Sequence, residues 1–154
     1  MKLIVDQNPR YSDVEITVKC VEIDQNLRGL LEYIRMYSFS VIGRKDGRDY
    51  SIGLSNIYYF ESLENKTFAY TEKDVYEVQY KIYELEDKLG DASFVRISKA
   101  SMLNIDKLES VKALLNRRME ARLENGEKII INRHYVNALK KKLNTSEDEN
   151  NVRF

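Results

Sequence analysis

The residues best suited to chemistry lie in one segment, Phe94-Val95-Arg96-Ile97-Ser98-Lys99-Ala100-Ser101-Met102-Leu103-Asn104-Ile105. It begins and ends apolar, while its middle carries two cations, two hydroxyls and one small residue. A strand buried in a core does not interrupt its apolar run that way. The pattern suits a chain that leaves one strand, exposes a polar bend and enters the next. Arg96 and Lys99 offer charge there, and Ser98 and Ser101 offer hydrogen bonds. Phosphate oxygens and base edges accept from Arg, Lys and Ser alike. Arg96, Ser98 and Ser101 suit phosphate anchoring, which positions a domain without specifying a sequence. Asn104 suits a structural role, tying the backbone of a turn through its amide.

Catalytic chemistry has no comparable cluster. There is no Gly-rich phosphate loop, no Gly-x-Ser-x-Gly and no metal-ligand spacing. His134, the single histidine, directly follows Arg133 and reads as a surface or cap residue, since a general base needs an orienting partner and a pocket. Cys20 is the single cysteine, so no internal disulfide can form, which fits a reducing compartment. It follows a strand-like run and is expected to be a small buried hydrophobe. One His and one Cys do not make a typical zinc site. The expectation is no enzyme, no metal and no small-molecule cofactor.

The 154 residues suit one domain, or one domain with a modest extension, and 43% hydrophobic content allows a core. No apolar run approaches the ~18–20 residues that cross a membrane. The opening Met1-Lys2-Leu3-Ile4-Val5 meets Asp6 too soon for a signal peptide, so a cytoplasmic location is expected. The net charge of +0 argues, taken alone, against a nucleic-acid binder. Its distribution argues the other way. Residues 96–144 hold 12 Lys/Arg against 5 Asp/Glu, a local excess of 7 positive charges that the remainder must offset. Clustered cations are the footprint of polyanion binding; the plain alternative is a solvated face that happens to be basic.

The elements that carry these residues read as follows. Leu3–Val5 and Val14–Cys20 pattern as strands, and Asp24 caps a helix whose Leu27, Leu30, Leu31 and Ile34 share a stripe. Asp46-Gly47 and Asn125-Gly126 are hairpin signals between apolar runs. Ile57–Phe60 is a strand whose aromatics are expected in the core. Turns at Glu64-Asn65-Lys66 and Glu72-Lys73-Asp74 bracket another strand, and Val75–Val78 follows. A helix over about 80–89 buries Ile82, Leu85 and Leu89, ends at Gly90 and pairs Glu84 with Lys88 outside. Strands follow near Leu108–Val111 and over Arg118–Leu123 and Lys128–Ile131, before a closing helix with Val136, Leu139 and Leu143 inward. Lys140-Lys141-Lys142 is a charge run around that helix, and the tail from Asn144 to Phe154 is expected to fray.

Phe94–Ala100 with Asn104 five positions after Lys99 resembles the central signature of the LytTR DNA-binding domain family. The match extends upstream to Ile57-Tyr58-Tyr59-Phe60-Glu61-Ser62-Leu63-Glu64-Asn65-Lys66-Thr67. Downstream it takes in Leu123–Glu127, Asn132-Arg133-His134-Tyr135 and Leu139-Lys140, in the family's order. The resemblance covers about residues 45–143. It leaves 1–44 as a strand–strand–helix extension, a candidate dimer or partner contact, and 144–154 as a disordered acidic tail.

The fold class expected is α+β, mainly β. The resemblance implies an elongated set of small antiparallel sheets with short helices, whose strand-connecting loops enter the major groove of double-stranded DNA. It assigns Arg133, Lys99, Lys66 and Thr67 to base reading, with Lys66 and Thr67 open to phosphate contact instead. Arg96, Ser98, Ser101, Asn132, Lys140 and Lys141 are the phosphate-contacting set. A guanidinium can bridge guanine O6 and N7, whereas an ammonium is less directional. The reading is a sequence-specific transcriptional regulator, a homodimer on repeated half-sites. The alternative is a protein-interaction module controlled by an accessory or membrane partner, without direct base readout.

Overall fold

The computed structural model describes residues 1–90 and 92–150, the side chains of 145–150 excepted. Helix α1 (Gln25–Ser38) leads into β1 (Ser40–Lys45), β2 (Arg48–Gly53), β3 (Tyr59–Leu63), β4 (Lys66–Tyr70) and β5 (Val75–Val78). Helix α2 (Ile82–Leu89) is followed by β6 (Phe94–Ser98), β7 (Ser101–Asn104), β8 (Leu108–Ala113), β9 (Met119–Leu123), β10 (Lys128–Ile131) and α3 (Val136–Asn150). Two antiparallel sheets result, one of seven strands in the order β2-β1-β5-β4-β3-β7-β6 and one of three in the order β10-β9-β8. The mainly β expectation stands, although the larger sheet is a continuous one rather than several small ones.

Turn chemistry explains the hairpins. Asp46 and Gly47 both take positive φ (52° and 73°), the mirror-image turn whose twist matches the flanking strands. Glu64 and Asn65 do the same between β3 and β4 (51° and 63°), without a glycine. Lys66 therefore opens β4 rather than belonging to the turn.

Alternation along the central strands feeds two cores. Ile57, Phe60, Phe94 and Met102 face a cluster shared with Met36 of α1 and with Ile82, Leu85 and Leu89 of α2. Tyr58, Tyr59, Val95 and Leu103 face the other way, against Leu108, Ala121, Leu123 and Ile131 of the smaller sheet and Val136, Leu139 and Leu143 of α3. The two layers are tied at Asn104. Its fully buried amide donates to the Ile57 carbonyl (2.9 Å) and accepts from the Asp106 amide (3.0 Å). Asn104 is thus the structural residue the sequence suggests.

The extension departs from expectation. Asp24 caps α1 by accepting from the Leu27 amide at 2.8 Å. Residues 1–24 form no strand, however, and all are exposed. Alternation yields a strand only where a partner edge and a core surface receive it, and an isolated pair is marginal at best. Cys20 is accordingly exposed, not buried. Leu30 of α1 is exposed as well. Strand β1 starts at Ser40, inside the segment assigned to the extension, because the Leu54 amide bonds to the Phe39 carbonyl and draws it into the sheet. Glu84 accepts from the Lys81 amide and Lys88 stands over the Tyr80 ring, in place of a Glu84–Lys88 pair. At the other end α3 continues to Asn150, past the Asn144 boundary expected for the tail; the tail's last four residues lie outside the described set.

Replacing Asn104 with Ala leaves the buried Ile57 carbonyl without its partner and removes the bond to the Asp106 amide, and is expected to cost about 2–3 kcal/mol in urea unfolding. An unchanged midpoint would contradict the tie. Burial raises the Tyr59 phenol pKa, as it does those of Tyr58 and of Tyr70, which stacks on Tyr59 at 4.3 Å. The folded state keeps protons that the unfolded chain releases near pH 10. Stability is then complete below about pH 10 and falls as pH rises beyond it, and Tyr59→Phe should make that fall shallower in alkaline urea titrations.

Candidate nucleic-acid interface

Register decides which loops meet. Glu61 of β3 lies opposite Ser101 of β7, and beyond that pair the Ser62 amide donates to the Ala100 carbonyl at 2.7 Å. The β3–β4 turn and the β6–β7 turn are therefore neighbours at one end of the seven-stranded sheet. At the same end the Asn132 amide donates to the Ile97 carbonyl at 2.9 Å, which docks the segment after β10 against the end of β6. Ser98, Lys99, Ala100, Asn132, His134 and Tyr135 line one surface hollow there. The connections carrying Lys66, Lys99 and Arg133 thus form one contiguous tip.

The three cations differ from their neighbours in being free. Lys66, Lys99 and Arg133 are exposed, and none of the three side chains makes a hydrogen bond or ion pair among the described residues. Asn132 caps the short 3-10 turn Arg133–Tyr135, its side-chain oxygen accepting from the His134 amide at 3.3 Å. That leaves its NH2 group outward beside Arg133. His134 is exposed in the same turn, as a surface residue.

Other expected contacts have internal jobs. Thr67 is only 5% exposed, so its hydroxyl does not reach a base. Its position in β4 puts it on the inward face with Ala69, and the period of two alone would have shown this. The Arg96 side chain is 22% exposed and is already occupied. Its Nε donates to the Ser98 carbonyl (3.1 Å), an Nη donates to the Lys99 carbonyl (2.5 Å), and Glu86 lies 3.6 Å away. Arg96 braces the loop that presents Lys99 rather than meeting phosphate itself. Ser98 accepts from the Ala100 amide at 3.1 Å and shapes the same turn. Ser101 is half-buried at the start of β7.

The structure does not bring the lysine run to this tip. Lys142 turns inward and donates to the carbonyls of Gly90 (3.0 Å) and Phe94 (2.6 Å), at the start of β6. Lys140 and Lys141 lie within a turn of it, near the opposite end of that strand.

Exposed cations on adjoining loop tips, held by a β scaffold, define a surface for an extended polyanion. Residues 47–144 match the LytTr DNA-binding domain, and the chain belongs to that family, one of DNA-binding transcriptional regulators rather than enzymes. The sensory transduction protein LytT of Enterococcus faecalis is 26% identical over 101 residues, 66% of this chain and 42% of that protein. An uncharacterized HTH-type transcriptional regulator of Staphylococcus aureus (strain NCTC 8325 / PS 47) is 22% identical over 93% of this chain and 98% of its own length. A solved LytTr DNA-binding domain from Bacillus cereus superposes with a TM-score of 0.64 at 20% identity, covering 68% of this chain and 95% of that one. Among the described residues no helix is long and apolar enough to cross a membrane.

If Arg96 braces the β6–β7 turn, Arg96→Ala should speed amide exchange across 99–101 about ten-fold, the equivalent of one lost charge-assisted bond of about 1.5 kcal/mol. Exchange along β9 should not change. Equal acceleration in both places, or in neither, would remove the bracing role.

Proposed function

We propose that the protein is a sequence-specific transcriptional regulator that reads the major groove through strand-connecting loops. Arg133 is the principal base reader, able to bridge guanine O6 and N7 with two parallel bonds worth about 1–3 kcal/mol of discrimination. Lys99 contacts a second base position with less directionality, and Lys66 contacts a base or a phosphate at the margin. Ser101 and the side-chain NH2 of Asn132 hold phosphates beside them, with Ser98 setting the loop that carries Lys99. Lys140 and Lys141 lie outside this cluster and at most meet phosphates flanking the site.

One observation carries this reading: three unpaired cations, on or next to three different connections, share a single end of the sheet. Groove entry by a helix–turn–helix has no counterpart here, since among the described residues every pair of successive α-helices is separated by strands. Loops are the elements left to read bases. Two copies would occupy repeated half-sites about one helical turn (~10 bp) apart, in the cytoplasm where the DNA is.

A second reading also has support. Leu30, Tyr33, Tyr37 and Phe39, on and just after α1, are exposed large hydrophobics on the side of the chain that precedes the family match. Such residues suit a protein contact, either a second copy or an accessory or membrane-bound regulator, acting alongside DNA binding.

Fluorescence anisotropy on duplexes selected from a randomised pool tests the proposal. Arg133→Ala should cost about 1–3 kcal/mol on the selected duplex and erase preference at one base position, while binding to shuffled duplex changes little. The wild-type log affinity should fall with log salt by about 0.9 per phosphate neutralised. Full base preference in Arg133→Ala, or binding indifferent to salt, would end the proposal.

A further inference from the structure

The β8–β9 connection is a further exposed, cation-bearing loop at the tip that the reading above leaves unused. In the smaller sheet Met119 of β9 lies opposite Ile131 of β10 on one side and Ala113 of β8 on the other. Those are the last pairs before β10 runs into Asn132, and Asn132 is bonded to Ile97 beneath Lys99. Residues 114–118 therefore sit one step past the ladder, at the same end as Asn132 and Arg133. Strand direction agrees: the other turn of this sheet, after β9, is at the opposite end, where the Glu124 amide bonds to the Lys107 carbonyl.

The loop is built to project. The Leu114 amide donates to the Arg118 carbonyl at 2.9 Å and closes it. Asn116 and Arg117 both take positive φ (63° and 60°), a conformation L side chains rarely adopt, and Leu115 is 84% exposed. One nitrogen of Arg118, Nε, braces the Leu115 carbonyl at 3.4 Å, leaving its terminal nitrogens outward. The Arg117 guanidinium is exposed and makes no hydrogen bond or ion pair among the described residues. The nearest strand carboxylate, Glu120, is 3.4 Å from Lys112 and so is already paired.

We infer that Arg117 and Arg118 form a phosphate clamp on double-stranded DNA, beside the groove that Arg133 enters. Three inter-strand steps of about 5 Å (β3 to β7, β7 to β6 and β10 to β9) and one inter-sheet step of about 10 Å separate this loop from the β3–β4 turn. The four connections then form a row on the order of 25 Å long, the rise of about seven base pairs. A guanidinium on the outer loop meets backbone rather than base edges, because the inner loops occupy the groove. Phosphate contacts of this kind set register and orientation without carrying sequence information. The inference rests on the DNA-binding reading and extends its footprint by one loop.

The test is an Arg117→Ala/Arg118→Ala double variant of the full chain, beside wild type and Arg133→Ala, on selected and shuffled duplexes across a salt series. The clamp predicts that the double variant lowers the steepness of the salt dependence by about 1–2, with a loss on the order of ten-fold at 0.15 M salt that is equal on both duplexes. Single variants should each lower it by about 1. Thermal melting matched to wild type separates this from misfolding, and Arg118→Lys, which keeps charge but loses the brace, covers a loop collapse. If wild type binds with normal salt dependence and the double variant matches it, the clamp is wrong and the DNA reading survives. If the loss falls on the selected duplex alone, the arginines read bases and the clamp is again wrong. If wild type itself selects no duplex, the underlying reading has failed.

Discussion

The pairing of β7 with β3 is the constraint on which the rest depends. Tyr59 opposite Leu103 and Glu61 opposite Ser101 set a register that the Ser62–Ala100 backbone bond extends into the loops. In that register two hairpin tips lie side by side, and the end of β6 is left to receive Asn132. A shift of one residue would turn Phe60, Met102 and their neighbours to the wrong core. At β3, β6 and β7 the sheet is buried on both faces, so such a slip is strongly penalised. Buried Asn104 fastens the other end of the same pair of strands to Ile57 and Asp106. The binding surface is therefore a by-product of how two cores are kept apart.

The side chains at the tip divide into holders and presenters. Arg96, Ser98 and Asn132 spend hydrogen bonds on the loops themselves. Lys66, Lys99 and Arg133 spend none. That division suits recognition of a polyanion. Cations held close together repel one another, and a duplex that neutralises them relieves the repulsion while releasing counterions. It also explains why a chain of net charge +0 can bind DNA: 12 of its cations fall within residues 96–144, which supply two of the three reading loops.

Much of this was legible in residues. Asp46-Gly47 announced its hairpin because few dipeptides adopt two positive φ angles cheaply, and Asn125-Gly126 announced its own through Gly126, which takes positive φ. Ile82, Leu85 and Leu89 announced a helix face, and Tyr58 to Phe60 a buried strand. Local pattern failed where the answer lay in distant partners. Val14–Cys20 alternates as a strand should, yet no edge receives it. Thr67 reads as a loop donor by type but points inward by position. The role of Arg96 depends on two carbonyls that fold back towards it, which no spacing rule anticipates. Arg118 patterns by alternation as the first residue of a strand, yet it lies in the loop before β9, at the same end as Arg133. The convergence of loops came from the family's ordered motifs, since sequence pattern gives hairpins but not which tips become neighbours.

Backbone amide shifts on titration with a selected duplex test the single-tip account most directly. The account predicts that amides around Lys66, Lys99 and Arg133 move together and saturate at one stoichiometry. Those of the opposite end, the 71–74 turn and Asp106–Lys107, should stay in place. The largest changes at that opposite end, or a response confined to one of the three loops, would contradict it.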